Sequence, residues 1–64
     1  MYIVLEIQAS DTIATTINSY EDRNTAESRY HQILAAAAMS TIPHHSAVLM
    51  NDVGDTIKSD SYTH

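Results

Sequence analysis

A chain of 64 residues with no cysteine, tryptophan or phenylalanine has to build its core from aliphatic side chains and four tyrosines. Without cysteine there is neither a disulfide framework nor a thiolate metal site. Folds below about 70–80 residues usually add a disulfide, a metal or self-association to a core that is marginal alone. A chain of this size buries only about 60% of its unfolded surface. One small domain spanning residues 1–64 is expected, with self-association as the remaining route to stability.

Hydrophobic spacing divides the chain into five elements. In Tyr2–Ala9, Ile3, Leu5, Ile7 and Ala9 alternate with Tyr2, Val4, Glu6 and Gln8, the period-two pattern of a strand. Ser10-Asp11-Thr12 reads as a turn. Ile13–Tyr20 alternates again, giving an antiparallel hairpin. The span Asp22–Met39 predicts a helix, with Asp22 and Asn24 as candidate N-caps and Asn24/Glu27 as a pair resembling a capping box. Pro43 prevents its continuation. At 100° per residue, Ala26, Tyr30, Ile33, Leu34 and Ala37 share one stripe. Ser28, His31, Ala35, Ala38 and Met39 form a second face of mostly small, uncharged residues. His45–Met50 predicts a third strand, Asn51–Asp55 a turn with Gly54 at positive φ, and Thr56–Thr63 a fourth strand blunted by Lys58 and Asp60.

The expected fold is therefore α+β: a four-stranded antiparallel sheet in ββαββ order with one helix on one face. Ile33 and Leu34 are expected to face Leu5 and Leu49. The other side of the sheet is expected to keep Tyr2, Val4, Val48 and Met50. Either that open side or the small-residue helix face is expected to join subunits.

Charge narrows the functional classes. Three basic residues against eight acidic ones give a net charge of −5. Broad binding to a nucleic-acid backbone needs clustered Lys and Arg, so no direct nucleic-acid partner is expected. No run approaches the ~20 apolar residues of a membrane span, and no secretory pattern opens the sequence. The expectation is a soluble cytoplasmic protein.

Catalytic signatures are missing from the sequence. None of the serines sits in a G-x-S-x-G elbow. A single glycine excludes the usual glycine-rich phosphate loops. His44 and His45 are adjacent, so an extended backbone sends them to opposite faces. With His31 and His64 they read as surface or rim histidines rather than metal ligands. No enzyme activity, cofactor or metal is expected. One polar set remains. Arg23 and Arg29 on the helix and Lys58 on the last strand supply cationic groups for an anion. Tyr20, Tyr30 and Tyr62 supply flat faces for a base. These six are the candidate ligand-binding residues, and surface pairing of either arginine with Glu21, Asp22 or Glu27 is the simpler alternative.

The stretch NSYEDRNTAESRYHQILAAAAMS (Asn18–Ser40) followed by HSAVLM (His45–Met50) resembles short uncharacterised proteins of gut Firmicutes and their phages. The resemblance implies an accessory protein of a mobile element, acting in a bacterial host by blocking a defence component or sequestering its nucleotide signal. Three readings stay open. The first is a self-associating, non-enzymatic protein that sequesters a small anionic ligand at a subunit interface. The second is an acidic protein-binding inhibitor of a host nuclease or other nucleic-acid enzyme. The third is a structural oligomer without a ligand.

Overall fold

Alternation in the sequence becomes four strands of eight residues in the computed structural model, which describes Met1–His64. β1 (Tyr2–Ala9) and β2 (Ile13–Tyr20) form one hairpin. The helix α1 (Arg23–Ala38) follows, and β3 (His44–Asn51) and β4 (Thr56–Thr63) form the second hairpin. The hairpins join through an antiparallel β1–β3 ladder, so the sheet runs β2-β1-β3-β4. This is the expected α+β architecture in ββαββ order.

Two turn devices set the register. Gly54 has φ +93°, a conformation glycine adopts without the steric penalty a Cβ brings. The Asn51 side-chain oxygen accepts from the backbone amides of Val53 and Asp55 at 3.1 and 2.9 Å. β4 carries a register shift opposite Leu49/Met50, next to this turn.

Asp22 caps α1 from extended backbone. Its Oδ2 accepts from the Thr25 amide at 3.2 Å and from the Thr25 hydroxyl at 3.0 Å. Asn24 lies inside the first turn and is not the cap. Glu27, expected as its partner, turns instead to Arg23 and Lys58. Asp22→Ala should cost about 1 kcal/mol, read as a lower melting temperature. An unchanged melt would show that this cap adds nothing. At the other end, Ala36 and Ala37 carbonyls accept from the Met39 and Ser40 amides, and the chain leaves through Pro43.

The core lies between the helix and one face of the sheet. Ala26, Tyr30, Ile33 and Ala37 are buried on α1, as the 100° stripe predicts, with Leu34 partly buried beside them. Opposite them are Val4, Ala47 and Leu49. Val4 pairs directly with Leu49 across the central ladder, so their side chains share a face. This overturns the expected face assignment. Tyr2 and Val4 lie under the helix, whereas Leu5 is on the open side and does not face Ile33 or Leu34. Val48 and Met50 are on the open side as expected, together with Ile3, Leu5 and Ile7. The expectation failed because β1 has apolar residues on both faces, so its alternation alone does not say which face the helix takes. Only eight of the 64 residues are buried.

Candidate functional site

The helix lies over the central strands, nearer β3 than β2. On the helix side of β2, Ala14, Thr16 and Asn18 are therefore exposed. Between β2 and α1 an open cleft of about 410 Å³ remains, lined by Tyr20, Asn24, Thr25, Ser28, Arg29 and Gln32. Each of these except Tyr20 comes from the β2-facing side of the helix, at the three- and four-residue spacing that puts side chains on one face. Tyr20 closes β2 and meets them at the mouth.

The cleft contains a guanidinium, an aromatic face, two amides and two hydroxyls. No acidic residue lines it. Arg29 is the cation, with its side chain 39% exposed and Nη2 4.0 Å from Glu6 Oε1. Glu6 projects from the middle of β1 toward the helix. Its Oε2 lies 2.7 Å from His45 Nε2 and accepts from Gln8 Nε2 at 3.2 Å. Burial pushes the Glu6 carboxyl upward, but the hydrogen bonds from His45 and Gln8 and the charges of His45 and Arg29 outweigh it. The carboxyl is held below the ordinary glutamate value. His45 is only 3% exposed, which corrects its reading as a surface or rim histidine, and its Nδ1 has no partner. A polar chain His45–Glu6–Arg29 thus runs from beneath the helix to the cleft. The ion pair engages Nη2 alone, and no Arg29 donor makes a hydrogen bond within the chain.

The six residues proposed from sequence do not gather at one place within the chain. Tyr20 and Arg29 meet in the cleft. Arg23 and Lys58 share one carboxylate, with Arg23 Nε 3.1 Å and Lys58 Nζ 3.7 Å from Glu27 Oε1. The Arg23 hydrogen bond is the largest influence on Glu27 and lowers its pKa against a smaller desolvation effect, with Lys58 adding to the lowering. Tyr30 is buried in the core at 4% exposure, and burial, aided by the charge of Asp60, raises the pKa of its phenol. Tyr62 stands on β4 opposite His45 and stacks with His64 at 6.4 Å. It is therefore at the opposite edge of the sheet from Tyr20. Arg29 pairs with Glu6 rather than with Glu21, Asp22 or Glu27.

Sequence reading missed Glu6 and His45 as partners. The available signal was an acid in the middle of a strand with apolar residues on both faces. No three His, Asp or Glu side chains come close enough to hold a metal ion, and no helix is long and apolar enough to cross a membrane. No known protein family, curated protein or solved structure matches the chain.

Proposed function

We propose that the chain is a non-catalytic, self-associating binding protein that captures a small anionic ligand of nucleotide type in the cleft between β2 and α1. The observation that carries this reading is the composition of the cleft. In a chain of net charge −5, the lining holds Arg29 and Tyr20 and no acid. A phosphate would meet the guanidinium in a bidentate manner, and a base would stack on Tyr20. Amides of Asn24 and Gln32 and the hydroxyl of Ser28 would complete the donors, since the Thr25 hydroxyl already donates to Asp22. A charge-assisted bond contributes about 1.5–3 kcal/mol, so a few of them reach the ~8 kcal/mol of micromolar binding. Arg23 and Lys58 support the cleft less, because Glu27 already engages both.

The resemblance to phage accessory proteins directs the choice of ligands: cyclic mono- and dinucleotides and ADP-ribose derivatives, titrated by calorimetry. Arg29→Ala should weaken binding at least about tenfold, the loss of one charge-assisted contact. Arg23→Ala and Lys58→Ala should leave it nearly unchanged. If no member of the panel binds, the sequestering reading fails and the acidic inhibitor of a nucleic-acid enzyme takes its place.

A further inference from the structure

The open face of the sheet carries Ile3, Leu5 and Ile7 on β1, Ile17 on β2, and Val48 and Met50 on β3. Leu5 is directly opposite Ile17 on one side and Val48 on the other, so it sits in the middle of an apolar row three strands wide. None of these side chains belongs to the buried core, and Ile17 is 64% exposed. Charge is excluded from the whole face. Glu6, Lys58 and Asp60 point to the helix side, as their partners Ala47 and Leu49 in the ladders require. Arg23, Glu27 and Arg29 are on α1, and the remaining five acids are in loops or at the helix cap. All eleven charged residues, three basic and eight acidic, thus lie elsewhere.

We propose that this face is where two copies of the chain pair, back to back, with their helices outward. Three observations select a second copy as occupant. First, in a chain of net charge −5 this is the face through which two copies can meet without placing like charges in contact, and a neutral face offers no complementary charge to select a different protein. Second, four eight-residue strands give a footprint of about 500 Å² per chain. Two such footprints reach the roughly 1,000 Å² that a specific interface needs. Third, the residues are arranged as an interface, with the apolar row on β2, β1 and β3 and serines toward β4. Ser59 and Ser61 there face Val48 and Ser46. Sheets packed face to face keep their strands within about 30° of each other, so a two-fold operation superposes the Leu5 rows.

This rests on the self-association part of the reading above and adds its location. It places the β2–α1 clefts on the two outer surfaces of the pair, one per chain. Ligand capture then does not require a shared interface.

The test is sedimentation of the wild-type protein, Leu5→Lys and Ala35→Glu, the last on the exposed face of the helix. The wild type and Ala35→Glu should be paired. Leu5→Lys should weaken association at least about 100-fold by placing a charge at the centre of a desolvated contact. A second readout covers the case in which Leu5→Lys does not fold. The chain has no cysteine, so Ile17→Cys and Ala35→Cys each introduce one thiol. Thiol labelling of Ile17→Cys should slow at least about tenfold as concentration rises through the association range, while Ala35→Cys labels at a constant rate. A wild type that stays monomeric overturns both self-association and this face. An oligomer broken by Ala35→Glu but not by Leu5→Lys, or unchanged labelling of Ile17→Cys in an oligomer, overturns the face alone.

Discussion

Leu49→Ala should lower stability by about 2–5 kcal/mol, the range for truncating a fully buried leucine. Leu49 is one of the two largest fully buried side chains, at 0% exposure, and lies across from Val4 in the central ladder. Domains have roughly 0.05–0.15 kcal/mol of stability per residue, which for this chain is about 3–10 kcal/mol in total. One substitution is thus expected to remove a large fraction of it. In a domain of 60–100 residues each kcal/mol moves the melting point by about 4–8 °C, so the melt should shift by at least about 8 °C. Leu5→Ala is the matched control. It deletes the same atoms from the open face, so its cost should depend on protein concentration, which the cost at Leu49 should not do to the same degree. A loss below about 1 kcal/mol for Leu49→Ala would mean that the centre of the core lies elsewhere.

The second large effect concerns Glu6. Glu6→Leu leaves His45 buried with both ring nitrogens unpartnered, since Nδ1 already lacks a hydrogen bond and Nε2 loses the 2.7 Å contact. Breaking a buried pair on one side costs about 3–5 kcal/mol, whereas replacing both partners by apolar groups of similar volume is often close to neutral. Glu6→Leu should therefore be strongly destabilising, and Glu6→Leu combined with His45→Phe should recover most of the loss. The double-mutant cycle measures the coupling; a coupling near zero would show that the pair contributes nothing. The pH dependence has a defined sign. The folded-state pKa of Glu6 is lowered, so its contribution is fully present above the unfolded glutamate value of about 4.3 and is lost as pH falls through the folded value. Glu6→Gln should flatten this acid limb of the stability profile. Glu27, whose pKa is also lowered, adds an acid-side loss of the same sign, which is common to both proteins and cancels in the comparison.

Local chemistry in the sequence reached far into this fold. Three of the four strands begin and end where alternation starts and stops, because turn residues such as Ser10, Asn51 and Gly54 interrupt the pattern sharply. β3 extends one residue further at each end, and α1 starts after Asp22 because that side chain accepts from the Thr25 amide, whereas Asn24 lies two residues on, inside the first turn. The buried stripe of α1 follows from the 3.6-residue repeat alone. What the sequence does not reveal depends on the β1–β3 register. Val4 could be assigned to the helix side only by knowing that it lies opposite Leu49, and Glu6 meets His45 only because the ladder brings distant segments together. The candidate site was legible in the same proportion. Arg29 and Tyr20 are cation and aromatic by residue type, but their common cleft exists because the helix leans toward β3 and leaves β2 uncovered. Tyr30 could not be separated from the other three tyrosines by residue type, and the stripe that put it in the core was the stronger signal.

The strand order β2-β1-β3-β4 also governs how the chain folds. Each hairpin is local and can form early, but an isolated two-stranded hairpin is marginal in water. The sheet closes only when β1 meets β3, an event that brings Tyr2 to Asn51 across most of the chain. Val4 and Leu49 become buried in that same event, beneath a helix that itself sits between the two hairpins in sequence. Neither hairpin has a core of its own to retain if the other detaches. Loop closure is opposed by chain entropy until the central contact forms, so the folding barrier falls at the β1–β3 junction. The smallest cooperative unit is then the entire chain, with no half that persists when the other opens.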